Sequence, residues 1–186
     1  MSGQHNPWKV LSETEAYDNP WIRLTEYAVI NPGGGKGIYG KVHFKNIAVG
    51  IVALDDELNI YLVGQFRFPV DRYSWEIPEG GSDRSGDPLE GAKKELSEET
   101  GLIAHSWAPL MEMQLSNSVT DEHCIVFIAR QLEQHHSAPE ETEQLVVKKI
   151  PFEAAYRMVG EGTIIDAISV AAILKVKLMI VDGRIA

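Results

Sequence analysis

The sequence predicts a mixed α/β (α+β) fold: a mixed β-sheet sandwiched between helices, with an antiparallel β extension at the N-terminus. Three observations carry this expectation. Short apolar runs bounded by Gly, Pro, Asn and Asp recur along the chain. One segment, from Asp87 to Leu102, repeats its apolar residues at helical spacing between good caps. Two further helical stretches follow the last strand signal.

Taken in order, Trp21–Ile30 and Gly37–Phe44 read as an antiparallel pair joined at Asn31-Pro32-Gly33-Gly34-Gly35. The glycine run and Lys36 lack the G-x-x-x-x-G-K-[ST] spacing of a phosphate loop, so a hairpin turn is the reading. Ile47–Leu54 is a nearly continuous apolar run, followed by a turn at Asp55-Asp56-Glu57 and by Ile60–Phe66. This second hairpin suits a sheet centre. A short strand at Trp75-Glu76-Ile77 leads into Pro78-Glu79-Gly80-Gly81, read as an irregular loop. Strands are expected at Ala108–Leu115, His123–Gln131 and Leu145–Ile150. A helix then opens at Pro151 or Phe152 and fades near Gly160; another starts at the N-cap Asp166 and runs through Ala167–Ile180. The chain divides into an N-terminal β segment, residues 1–45, and a main domain, residues 46–186.

With 186 residues, 44% of them hydrophobic, the chain can build a core without disulfides or a structural metal. A net charge of −10 argues against a nucleic-acid partner, which needs Lys and Arg to displace counterions. It leaves room for a small phosphorylated ligand, because a bound divalent cation reverses the local sign. Cys124 is the single cysteine, which excludes an intramolecular disulfide, and its apolar neighbours fit a buried strand thiol. The opening MSGQHNPWKV has no apolar signal core and no stretch is long enough to span a membrane, so the expected compartment is the cytoplasm.

The segment from Asp87 to Leu102 is the anomaly. Asp87 caps it, Pro88 fills the first turn, Glu90 stands three residues after the cap, and Gly101 stops it. Leu89, Ala92, Leu96 and Thr100 form the face turned to the core. Glu95, Glu98 and Glu99, at i, i+3 and i+4, converge on one patch in the last turn. Like charges at that spacing repel, and the helix dipole prefers cations there. A divalent metal held by hard oxygen ligands reverses both penalties, whereas a solvated acidic face leaves them standing.

Gly80 and the run Lys94-Glu95-Leu96-Ser97-Glu98-Glu99-Thr100-Gly101-Leu102 resemble the Nudix box, G-x5-E-x7-R-E-U-x-E-E-x-G-U with U apolar. Two positions depart from it: Gly86 replaces the first Glu, with Asp83 or Asp87 as neighbours that could fill the space, and Lys94 replaces the Arg. Gln65-Phe66-Arg67 and Trp75-Glu76-Ile77-Pro78-Glu79-Gly80-Gly81 are similar to the Q-Y-R and W-E-L-P-A-G-G segments of ADP-ribose and nucleoside-diphosphate-sugar pyrophosphatases. Ser116-Asn117-Ser118-Val119-Thr120-Asp121-Glu122 keeps the end of their S-P-G-x-[ST]-[DE]-E segment, with Asn117 at the Pro position.

The resemblance implies a Nudix fold and Mg²⁺-dependent hydrolysis, with Mn²⁺ as a substitute, of the diphosphate in a nucleoside diphosphate sugar. ADP-ribose is one candidate substrate and GDP-mannose another; dinucleotide polyphosphates or damaged nucleotides are the alternative class, and a non-catalytic sensor a further one. It implies metal ligands at Glu95, Glu98, Glu99 and the main-chain carbonyl of Glu79, with Glu98 assisting catalysis. Glu141 is the general base it implies, with Glu143 second and an exposed acidic loop as the competing account. Arg67 is implied as a phosphate ligand, against a surface salt bridge; Glu76 contacts a base or a terminal ribose; Glu122 contacts substrate or metal-bound water. Trp21 or Trp75 stacks on a base, or is a buried aromatic. A homodimer formed through residues 1–45 completes the implied picture.

Overall fold

The computed structural model describes residues 5–135 and 144–185. The described residues form, in chain order, β1 Lys9–Asp18, β2 Ile22–Ile30, β3 Lys36–Phe44, β4 Asn46–Ala53, β5 Asn59–Arg67, a 3₁₀ turn Phe68–Val70, β6 Arg72–Glu76, β7 Glu79–Asp83, α1 Pro88–Thr100, β8 Leu102–Gln114, β9 His123–Gln134, β10 Val146–Pro151, α2 Phe152–Gly160 and α3 Ala167–Val181. They fall into two compact units. None of the helices among them is long and apolar enough to cross a membrane.

The first unit is the antiparallel sheet β1-β2-β3 with the segment Ser116–Glu122. The β2–β3 turn forms because the Asn31 side chain accepts the Gly33 and Gly35 amides at 3.0 Å while Gly34 takes φ +85°. Ser116–Glu122 lies along β3: the Val42 amide donates to the Val119 carbonyl and the Asp121 amide to the Val42 carbonyl. Asp121 then accepts from His43 at 2.8 Å and from the Phe44 amide at 3.1 Å. Every residue of β1 is exposed, so it has no inward-outward alternation from which to read a strand.

The second unit holds a four-stranded sheet, β7-β4-β9-β8, and a three-stranded antiparallel sheet, β10-β5-β6. β4 runs parallel to β9, and β8 antiparallel to it, so the larger sheet is mixed as expected. Val49, Ile51 and Ala53 of β4 pack with Phe127 of β9 and with Ala92 and Leu96 of α1. Val52 and Leu54 share the opposite core with Val126, Ile128, and Ile168 and Ile173 in and around α3. With both faces covered by helices, a continuous apolar run is what the strand needs. Cys124 lies in this second core, fully buried.

Two element boundaries differ from the sequence reading. Glu79-Gly80-Gly81 opens the strand β7 and is not an irregular loop, because β7 adds to the edge of β4, where the Ile51 amide donates to the Pro78 carbonyl at 2.8 Å. β8 begins at Leu102, directly after the helix, and not at Ala108; its first half is paired with β9 from Ile103 to Trp107 although His105 and Ser106 make it look polar.

Candidate active site

The acidic helix forms as its caps dictate. The Asp87 carboxylate accepts the Leu89 amide at 2.9 Å, and Gly101 adopts the left-handed conformation with its amide on the Ser97 carbonyl. Ala92, Leu96 and Thr100 are buried, and Leu89 packs half-buried beside them. No basic residue lies in the last turn, so the dipole penalty on the glutamates there is not relieved from within the helix.

The three carboxylates occupy different surroundings. Glu98 is partly exposed and pairs with Lys94 at 2.9 Å, so the lysine in the arginine position of the box still serves a box glutamate. Glu99 is buried, 3% exposed, and accepts the Glu79 amide at 3.0 Å. Glu95 lies with its carboxylate against Gly80, where a Cβ would overlap all three of its terminal atoms. Gly80 is therefore needed for the close approach of α1 to β7. Gly91 serves the same contact one turn earlier, since a Cβ there would strike Ser82.

Gly86 leaves the first acidic position of the box without a carboxylate, and the two acids beside it are engaged locally. Asp83 bonds the Ser85 amide and hydroxyl, both at 2.7 Å, and Asp87 is engaged as the helix cap.

Glu79 joins the box to a second group of charges. Its amide meets Glu99, while its side chain reaches Arg67 at the end of β5. Arg67 donates from Nε to both Glu76 oxygens at 3.0 Å, from Nη2 to Glu76 at 2.5 Å and from Nη2 to Glu79 Oε1 at 2.9 Å. Asp166, the α3 cap bonded to the Ser169 amide, brings its carboxylate near; oxygens of Glu76, Glu79 and Asp166 lie within 4.8 Å of one another. Burial opposes charge on Arg67, but the hydrogen bonds it donates to Glu76 and the pull of Glu76, Glu79 and Asp166 raise its pKa above the ordinary value. Burial pushes the Glu79 carboxyl well above its usual range; Asp166 and Glu76 add to that, and Arg67 opposes it. These residues, with Arg72 and Ser74, line a cleft.

Of the residues expected at the site, Glu79, Glu95 and Glu99 are thus brought together, and Arg67 and Glu76 join them through Glu79. Arg67 forms a salt bridge, as the competing account held, but with two internal carboxylates. Trp75 is half-buried beneath Lys148, whose Nζ is 4.2 Å from the ring centre, with Tyr73 edge-on. Trp21, 69% exposed, and Glu122 belong to the first unit. Glu141 and Glu143 lie outside the described residues. The Glu79 side chain and Asp166 were not read as site residues. The signal for Glu79 is its place where W-E-L-P-A-G-G carries alanine; for Asp166 it is the capping pattern and the likeness of Gly160–Val170 to the C-terminal helix entry of the nucleoside-diphosphate-sugar pyrophosphatases.

A family model described as NUDIX domain matches residues 44–170, and one described as nucleoside diphosphate sugar hydrolase N-terminal domain matches residues 8–42. An ADP-ribose pyrophosphatase of Mycobacterium tuberculosis is 36% identical over 181 residues, covering 93% of this chain and 84% of that protein. One of Bacillus subtilis is 33% identical over 128 residues, 68% of this chain and 69% of that protein. The crystal structure of an ADP compounds hydrolase shares the fold, with a TM-score of 0.85 over 98% of this chain and 100% of that one at 19% identity.

Proposed function

The chain belongs to the NUDIX family of hydrolases, and from that premise we propose that it cleaves the diphosphate of ADP-ribose or a closely related nucleoside diphosphate sugar, yielding a nucleoside monophosphate and a sugar phosphate. The observation that carries this reading is the Glu95/Glu98/Glu99 face of α1 packed against Gly80 and the Glu79 amide. The match of residues 8–42 to a nucleoside diphosphate sugar hydrolase domain and the two ADP-ribose pyrophosphatases support the substrate class. Asn117, at the proline position of the ADP-ribose pattern, keeps another sugar nucleotide such as GDP-mannose within it.

The donor set fits a hard divalent cation. Three carboxylates on one helical face, in a turn without basic residues, supply oxygen ligands and an excess of negative charge, the chemistry that Mg²⁺ or Mn²⁺ takes. Glu95, Glu99 and the Glu79 carbonyl would hold the ion, with Glu98 assisting. When bound, it supplies Lewis-acid polarisation of the diphosphate and activation of water. The chain's own part is positional: the Glu79 amide orients Glu99, Gly80 admits Glu95, and Lys94 holds Glu98. Glu141, or Glu143 after it, would take the proton of the attacking water. Arg67, fixed by Glu76 and Glu79, would meet the substrate with whatever donors those bonds leave.

Residues 1–45 would form the β segment of a homodimer and residues 46–186 the catalytic domain. Exposed Val10, Leu11 and Tyr17 on β1 support the dimer. The net charge of −10 supports the absence of a nucleic-acid partner, and the single cysteine fits a reducing compartment such as the cytoplasm. The test is a panel of nucleotide sugars, dinucleotide polyphosphates and oxidised nucleotides, incubated with Mg²⁺, Mn²⁺ or chelator and scored by product identity. AMP and ribose 5-phosphate from ADP-ribose, lost with chelator, is the expected result. Cleavage of no diphosphate compound overturns it.

A further inference from the structure

The geometry points to the Glu79 side chain as a specificity-determining group that reads hydroxyls on the sugar half of the substrate. This inference rests on the hydrolase reading above and concerns the cleft beside the box. Glu79 spans the two: its amide donates to Glu99 at 3.0 Å, and its carboxylate faces Arg67, Glu76 and Asp166. A ligand held over the box glutamates therefore has its next group beside this carboxylate.

The cleft is built to accept hydrogen bonds. Glu79 Oε1 takes one from Arg67, while Oε2 is buried and has no partner among the described residues. The Glu79 side chain is 13% exposed where it lines the cleft, so a ligand hydroxyl can meet the carboxyl group there. Three kinds of ligand group can be weighed. A phosphate would meet three carboxylates with oxygens within 4.8 Å of one another, against a guanidinium already bonded to two of them. A base needs a flat apolar wall, and none of the residues lining the cleft is aromatic. A sugar ring offers neutral donors in adjacent pairs, which match clustered acceptors without adding charge. A second cation would compete with the Arg67 guanidinium, which bonds both Glu76 and Glu79, and the Mg²⁺ dependence measured below separates that reading from the sugar one.

The alanine of the W-E-L-P-A-G-G pattern has no such acceptor, so Glu79 distinguishes this chain within its own site. The test compares kcat/KM on ADP-ribose, on the methyl ester of ADP, which has no second sugar, and on IDP-ribose, which lacks the adenine amino group. Wild type, Glu79→Ala and Glu79→Gln are measured, with circular dichroism and thermal unfolding confirming that each folds. The expected result is a preference for ADP-ribose over methyl-ADP that falls about 10- to 100-fold in Glu79→Ala and less in Glu79→Gln, which keeps an acceptor. The adenine-to-hypoxanthine ratio is expected to stay constant. An unchanged sugar-to-methyl ratio overturns the inference, as does a changed base ratio, which assigns Glu79 to the base. A higher half-activating Mg²⁺ concentration with an unchanged sugar ratio overturns it in favour of a cation seat. If wild type cleaves neither ADP-ribose nor methyl-ADP, the ADP-ribose reading on which the inference rests has failed, a result distinct from these.

Discussion

Glu76 and Glu79 depend on one guanidinium, and removing it strands both. Arg67→Ala is therefore expected to destabilise the fold by about 1–3 kcal/mol, the buried-pair value discounted for the 37% exposure of Arg67, with partial recovery in Arg67→Lys, as measured by denaturant unfolding. An unfolding midpoint unchanged in Arg67→Ala would mean the pair is solvated. At Gly86 the reverse change is informative. A Cβ there meets nothing nearer than the Asp83 carbonyl at 3.5 Å, so Gly86→Glu is sterically admitted and restores the first acid of the box. The expected outcome is a several-fold lower half-activating Mg²⁺ concentration; no change would show that the other box ligands already saturate the ion's needs. At this scale, Glu95, Glu98 and Glu99 were legible because helical spacing is local. The Glu79 carboxylate and Asp166 were not, because their meeting requires β5, β7 and α3 to converge.

The contact between α1 and β7 sets the site, and Gly80 tests it. A methyl group there collides with the far end of the Glu95 side chain, which can swing aside, and not with backbone. Gly80→Ala is expected to unfold within about 1 kcal/mol of wild type while kcat falls at least tenfold; retained activity would remove Glu95 from the site. The β4–β5 turn carries a pH signature. Asp55 accepts Lys149 Nζ at 2.6 Å and the Asn59 amide at 2.8 Å, and despite burial, which works the other way, these bonds lower its pKa from 3.8 to about 2. A depressed folded-state pKa stabilises above the unfolded value and is lost as pH falls through the folded one. Asp55→Asn should thus cost about 1–2 kcal/mol at neutral pH, allowing for the exposure of Lys149, and nothing near pH 2. Equal loss at both pH values would place the effect in packing. The strands β4 and β5 and the helix α1 were readable because burial and caps write themselves into neighbouring residues. The expected hairpin is not formed: β4 and β5 lie in separate sheets and meet at the Leu54–Ile60 bridge. β1, exposed on all sides, and β7, hidden behind two glycines, left no such pattern.

For the whole molecule, the net charge of −10 and the proposed divalent ion belong together: a bound cation would reverse locally the charge that opposes a polyanion. The mixed sheet with helices on both faces was legible from continuous apolar runs. The docking of Ser116–Glu122 on β3 was not, since it depends on backbone bonds at Val42 and on Asp121 meeting His43 and the Phe44 amide from far along the chain. Sedimentation of the full chain is expected to give a dimer; a monomer at micromolar concentration would remove the role proposed for residues 1–45. The most direct test of the central claim is ADP-ribose turnover by Glu99→Gln in saturating Mg²⁺. The substitution keeps the volume and an acceptor for the Glu79 amide but removes a metal-binding charge. The account predicts an intact fold and kcat lowered by at least about a hundredfold; full wild-type turnover in the folded variant would contradict it.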